Sequence, residues 1–515
     1  MTKSVAVIGA GHNGLIAANL LAQKGYNVTV YEASASVGGG AQTHEFAPGY
    51  KTSTLAHLLF HWNPQLSEAL QLKNHGLQLA EPLLPSAALA PNGSSIVYNQ
   101  HELLAGDFSE SESVHYREAL LRWNVLARWL AKEHRKTPAR LGWDRWREAI
   151  PAVTMMLRMR LLGRDHLREL LRVATMAIQD VLEEDLSDPR LKGALALDAV
   201  LGTNLGTRSG NSFFTFLHRL AGLTNGGYRQ VIGGMGGLTD ALVRSCEAAG
   251  VRLHTDARVV KINLRADRVS GLTLADGRTV HVDGVLSAID ASQMLLSLLG
   301  PQALSVEQTH QLRYLRRRGT AAKVHLALND QPNFPGLSTP YLSSRLVIAP
   351  SVEAVDQAFN FIKYQQCSDD LVMELHIPTV LDPGLAPTGH HVISAIVQYV
   401  PSEAQDTDQL RAQVLEKTIR QIEQYAPGVR TRIIAQECLL PSDIENRYRC
   451  PAGHWHHSEM SIDQALMLRP IPKLAQYRGP VEGLWMCGAS THPGGGIHGQ
   501  SALLAVDALA KDLKP

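Results

Sequence analysis

Three groups of residues in this chain have the types and spacing that chemistry requires. Gly9, Gly11 and Gly14 stand in GxGxxG spacing, and Glu32 follows Gly14 by eighteen residues. Glycines so placed let bare backbone approach a pyrophosphate. A carboxylate at that distance accepts hydrogen bonds from a ribose 2′-hydroxyl and repels a 2′-phosphate. Cys450, His454, His456 and His457 crowd into CPAGHWHH, which raises the question of a metal. Structural zinc uses C-x₂₋₄-C or H-x₃₋₅-H spacing, which this stretch lacks, so no metal is expected there. Finally, Gly494, Gly495 and Gly496 lie between Pro493 and an apolar, helix-like end of the chain. Three glycines together cost conformational entropy, so something must approach bare peptide closely.

These residues need elements to position them. Val5 to Ile8 is a short apolar run, as in a buried parallel strand. The pattern predicts a helix from about Asn13 to Lys24, its N-terminal amides aimed at the phosphate, with Gly25 as its stop. NVTVYE is then a second strand ending in Glu32. GxGxxG alone is an ordinary glycine turn; strand, helix, second strand and acid in register make it a dinucleotide site. Residues 110 to 225 read as mainly helical and rich in Leu, Arg and Trp, including Trp123, Trp129, Trp143 and Trp146. The GGMGG cluster at 233 to 237 follows no strand in Rossmann register, so no second nucleotide unit is expected. RVSGLTL and RTVHVDGV alternate as a hairpin about the turn ADG at 275 to 277. Strands and helices mix from about 295 to 430, and residues 444 to 472 read as a long loop.

A chain of 515 residues is too long for one core, so two domains or more are expected. A net charge of +1 argues against nucleic-acid binding. Five scattered cysteines with no CxxC pair give neither a disulfide framework nor a zinc ribbon. The apolar run in MTKSVAVIGAG is too short for a signal peptide, and no uninterrupted apolar segment is long enough to span a bilayer. A reduced, cytoplasmic enzyme is the expectation. Arg158, Arg160, Arg164, Arg168 and Arg172 recur among leucines and methionines, a pattern compatible with peripheral contact to a membrane surface. Asp165 and Glu169 offset part of that charge, and a packed helix with solvated arginines accounts for the pattern more simply.

Six residues after Glu32 comes Gly38-Gly39, with Gly40 behind. This segment resembles the glutathione-reductase-type FAD fold. Flavin amine oxidases carry arginine after that glycine pair; Gly40 instead resembles the phytoene-desaturase branch. One phosphate-neutralising charge is then missing, and backbone amides must do more. The whole chain resembles FAD-dependent phytoene-desaturase-like oxidoreductases of the flavin amine oxidase superfamily. Within them it is similar to the pyridine-nucleotide-disulphide-oxidoreductase-domain proteins related to carotenoid desaturases. VIGAGHNGL, GGMGGLTDAL, AAKVHLAL, GHWHHSEMSIDQ and, most specifically, GLWMCGASTHPGGGIHG carry the resemblance.

The resemblance implies an α/β fold: a discontinuous glutathione-reductase-type Rossmann FAD domain (1–90, 226–295 and 435–515) with an interleaved α+β substrate domain (91–225 and 296–434). It implies that FAD meets Gly9, Gly11, Asn13, Gly14, Glu32, Gly39 and Gly40, and that the Val259 backbone contacts the adenine. Gly488, Gly495, Gly496 and Ile497 would pass the flavin, with the last helix aimed at its pyrimidine edge. Lys323 matches a lysine hydrogen-bonded through water to flavin N5; its plain alternative is a solvated strand lysine. His492 would lie beside the flavin or cap the loop, and His454 and His456 would line the pocket or face solvent. The expected reaction is dehydrogenation of a largely apolar small molecule by hydride transfer to FAD, with oxygen or a quinone as acceptor. A C=N-forming amine oxidase, a non-redox polyene isomerase and a non-catalytic FAD-binding module stay open, as do the substrate and the oligomeric state.

Overall fold

The apolar run of β1 (Ser4–Ile8) lies at the centre of a five-stranded sheet. The strand order is Leu484–Met486, Gly284–Ser287, β1, β2 (Asn27–Tyr31) and Arg252–His254, and every pairing is parallel. Three distant stretches of sequence thus build one sheet, which is why no single window shows it. Between β1 and β2 runs α1 (His12–Gln23), buried over most of its surface. The helices Met235–Ala248 and Gln500–Asp512 both pack against α1. Its small residues Ala17 and Ala18 allow that close approach and sit in the same core as Leu15 and Leu21. The structure is a computed structural model and describes residues 2–91, 93–140, 150–224 and 226–515. Trp143 and Trp146 lie outside the described residues.

The expected hairpin forms: Arg268–Leu274 pairs antiparallel with Thr279–His281 and, on its other side, with Val259–Arg265. A separate eight-stranded sheet runs in the order Ile433–Leu439, Ala321–Leu328, His391–Gln398, Val372–His376, Arg345–Ile348, Ser86–Ala88, Ile96–Tyr98 and Leu103–Ala105. All its pairings are antiparallel except Arg345–Ile348 with Ser86–Ala88. Ser86–Ala88 thus joins this sheet although it precedes residue 90. One face carries the helices Glu110–His134, Ile178–Asp185, Pro189–Val200 and Ser212–Leu223, which share a core with Val347 and Ile396. Every residue of Ala321–Leu328 is buried. A strand covered on both faces should read as continuously apolar, so its Lys323 and His325 must each find partners.

The arginine-rich stretch forms two helices, Ile150–Arg160 and Arg164–Val173. Gly163 separates them with φ +88°, a conformation that favours glycine. Arg158 makes two hydrogen bonds of 2.7 Å to Glu133, and Arg172 binds Glu169 and Glu184. Among the described residues, no helix is long and apolar enough to cross a membrane. All five cysteines are free and buried.

Candidate active site

The glycine turn opens a cavity at the head of α1. Gly11 caps the helix with extended backbone, no side chain caps it, and no acid lies in its first turn. A Cβ added to Gly14 would fall 2.0 Å from the Gly9 carbonyl oxygen, so α1 lies on the turn only because position 14 is glycine. A Cβ at Gly11 would meet nothing within 4 Å; that face is open to a ligand. Uncapped amides with positive dipole character, and no competing carboxylate, suit a pyrophosphate. At the end of β2 the Glu32 carboxylate accepts from the amides of Ala10 (2.7 Å) and Ser34 (2.9 Å), which fix its direction. It borders the same cavity, which has a volume of about 720 Å³. Gly9, Gly11, Asn13, Gly14, Gly39, Gly40 and Val259 line it with Glu32. A cradle of this size and donor set fits an organic dinucleotide.

The C-terminal loop reaches the cavity through Gly496 and Ile497, while His456 and His457 line it from the preceding loop. The glycine run answers to protein neighbours as well. A Cβ at Gly495 would lie 1.8 Å from His456 Nδ1, and one at Gly494 would lie 2.7 Å from Met460 Cε. The clearance expected for a flavin is therefore partly occupied by packed side chains. Gly488 likewise lies against backbone, its Cβ position being 2.6 Å from the Ile289 carbonyl oxygen. The last helix begins at Gln500, whose amide donates to His498 Nδ1 at 2.9 Å. Arg469, fully buried, donates to the carbonyls of Ala489, Glu459 and Gln464 and so fastens the two C-terminal loops together.

Two histidines expected at the pocket do not line it. His492 is buried, its Nε2 is 3.2 Å from the Glu133 carbonyl oxygen, and it holds a loop against the helix Glu110–His134. His454 is buried with Nε2 3.6 Å from Glu459, and its Nδ1 accepts from the His456 amide. Lys323 is likewise set back from the cavity wall. Its Nζ lies 2.9 Å from His57 Nδ1, and His57 is the residue that borders the cavity. Lys323 therefore makes its direct contact with the cavity wall through that imidazole.

Behind His57 lies a buried charge network. His57 Nε2 is 2.8 Å from Glu374 Oε1, so with Lys323 donating to Nδ1 the neutral ring donates to the carboxylate. Glu374 also accepts from Arg219 (2.7 Å) and from Arg345, which in turn binds Asp198. Burial alone would raise the Glu374 carboxyl; Arg345, Arg219 and His57 instead hold it well below the usual range. Burial, then the Lys323 charge, pushes His57 down to about 4, and burial pushes Lys323 down to about 7. Over the same wall spread Leu55, Leu58, Phe60, Leu201, Ile396 and Trp455.

Sequence reasoning missed His57, Arg219, Arg345 and Glu374. The signal was present in kind: a lone Glu in VMELH and a lone Arg in SRLVIAP are charges inside otherwise apolar strands. Buried charges demand partners. The capping of the helix Met235–Ala248 was missed too. Met235 N donates to Ser53 Oγ (3.0 Å) and Gly236 N to Thr43 Oγ1 (2.9 Å), both from the hairpin 43–53.

A Rossmann sheet whose glycine turn and strand-end acid open on a cavity between two sheets defines a dinucleotide-binding protein. The chain belongs to the flavin containing amine oxidoreductase family, whose model matches residues 14–509. It is 32% identical to the pyridine nucleotide-disulfide oxidoreductase domain-containing protein 2 of Mus musculus, over 99% of this chain and 93% of that one. It is 26% identical to the lycopene-forming phytoene desaturase of Pseudescherichia vulneris, over 68% of this chain and 70% of that one. The solved structure of an oxidoreductase from Methanosarcina mazei shares the fold, with a TM-score of 0.61 at 19% identity, covering 99% of this chain and all of that one.

Proposed function

We propose that the protein dehydrogenates a largely apolar organic substrate at this cavity, with oxygen or a quinone as the final electron acceptor. One observation carries the reading: Leu55, Leu58, Phe60, Leu201, Ile396 and Trp455 line the cavity beyond the glycine turn, and Glu374, which borders it beside them, is already committed to His57, Arg219 and Arg345. Glu374 is therefore not free to pair with a cationic substrate. The phytoene desaturase relative supports a polyene as the first substrate to test.

Bound FAD supplies the hydride acceptor. The protein's own groups bind and orient it. The glycine turn and the α1 amides would hold the pyrophosphate, with Asn13 beside them, and Glu32 would hold the ribose. The Val259 backbone would meet the adenine. Gly39 and Gly40 would follow the phosphates, and Gly488, Gly495, Gly496, Ile497 and the last helix would follow the pyrimidine edge. Leu55, Leu58, Phe60 and Trp455 would exclude water from the reacting face. His57, held by Lys323 and Glu374, would present a fixed neutral imidazole to the cavity. The Rossmann sheet and its helices would form the FAD domain, and the eight-stranded sheet with its helices the substrate domain.

Anaerobic titration of the holoenzyme tests the reading, with visible flavin absorbance as the readout. Apolar polyenes should bleach the flavin while alkyl amines leave it oxidised. Bleaching by amines alone would make the protein an amine oxidase. Stable oxidised flavin across both classes would contradict a dehydrogenase.

A further inference from the structure

Beside His44, which borders the cavity, side chains from three strands converge. His44 lies on Thr43–Ala47, His325 on Ala321–Leu328 and Glu437 on Ile433–Leu439. The last two face each other directly across the antiparallel pairing. One potential ligand atom from each residue lies within 4.8 Å of the others. His44 Nε2 is 2.6 Å from Glu437 Oε2, and His325 Nε2 is 3.9 Å from the same oxygen.

His325 is fully buried, yet its Nε2 has no hydrogen-bond partner. Such an orphan costs free energy and calls for an explanation. Its Nδ1 lies 3.3 Å from Ser394 Oγ. A ring that donates from Nδ1 to a hydroxyl presents a lone pair at Nε2, the arrangement that metal-ligating histidines use. Two imidazoles and a carboxylate are also the donor set of three-ligand sites that keep a position open for water. Tetrahedral bonds of about 2.0–2.2 Å put ligand atoms about 3.3 Å apart, between the two separations seen here. Arg447 lies 3.5 Å from the other Glu437 oxygen, Oε1, and leaves Oε2 to the histidines.

We propose that His44, His325 and Glu437 form a binding site for a divalent first-row transition-metal ion, with zinc as the probe. The site is separate from CPAGHWHH and does not depend on the dehydrogenase reading. It ties the 43–53 hairpin to the eight-stranded sheet. That hairpin supplies the Thr43 and Ser53 caps of the helix Met235–Ala248, so a bound ion would brace the Rossmann side against the sheet. Ser394 Oγ is also 3.3 Å from His57 Nδ1, which links the site to the cavity wall.

The test is calorimetric titration of chelator-treated holoenzyme with zinc chloride, beside His44→Ala and Glu437→Gln. One zinc should bind per chain. Each substitution should weaken binding by at least about tenfold, since loss of even a supporting partner costs about 10–100-fold. FAD content reports whether each variant is folded. Zinc bound equally by wild type and both variants would assign it to surface histidines and overturn the proposal. Thermal melting of the wild type covers the case of an unfolded variant. Zinc should raise Tm by mass action, and an unmoved Tm at saturating zinc would also overturn the site.

Discussion

The two ends of the cavity solve the same problem with opposite materials. At the glycine turn the groups that face a ligand are backbone amides, made accessible by missing side chains; Gly14 cannot take a Cβ because the Gly9 carbonyl oxygen lies 2.0 Å away. At the sheet wall His57, Glu374 and Arg219 border the cavity, with Lys323 and Arg345 buried behind them, and all are tied together through His57 and Glu374. The first end depends on local chain geometry. The second depends on a buried network whose charges are held mainly by one another.

Removing the centre of the network should have the largest effect. Glu374→Ala leaves Arg345, Arg219 and His57 without their common anion in a buried site. It should destabilise the fold by about 3–5 kcal/mol. Thermal or urea unfolding reads this, and a loss under 1 kcal/mol (about fivefold in the folding equilibrium) would show that the wall is not one unit. At the other end, Glu32→Ala should leave the fold intact and weaken FAD binding by about 1.5–3 kcal/mol, or roughly ten- to a hundredfold. Titration of the apoprotein with FAD measures it, and unchanged affinity would remove Glu32 from the ribose.

A smaller effect concerns pH. Burial pushes Lys323 from 10.5 down to about 7, so between those values the unfolded chain holds a proton that the folded protein has released. Stability contributed by this position therefore rises with pH across that window. Relative to Lys323→Met, the wild type should gain roughly 1–2 kcal/mol between pH 7 and pH 9. Parallel stability curves for the two proteins would contradict a depressed lysine.

The same contrast explains what was legible in the sequence. The boundaries of β1, α1 and β2 fall within one or two residues of their sequence reading, because an apolar run, glycine spacing and a terminal acid act over neighbours in the chain. The hairpin about residues 275 to 277 was legible for the same reason. Lys323 was placed by resemblance, but its partner His57 is 266 residues away in the chain, and no periodicity connects them. The pairing of Ser86–Ala88 with Arg345–Ile348 is likewise settled only when the sheet closes. His454 and His492 were expected at the pocket by the resemblance alone. Their rings are instead directed at Glu459 and the Glu133 carbonyl. The arginine-rich stretch reads as one helix, and the structure breaks it at Gly163, whose positive φ no periodicity announces.

If the glycine-turn end holds the cofactor and the sheet wall governs its reactivity, the two roles should separate in a single variant. Stopped-flow reoxidation of dithionite-reduced Lys323→Met enzyme by oxygen, with FAD content measured on the same sample, tests this most directly. Methionine keeps much of the length and apolar packing of the lysine stem. FAD content should stay near normal while the reoxidation rate constant falls below that of wild type. An unchanged rate constant, or a loss of FAD as large as that of Glu32→Ala, would contradict it.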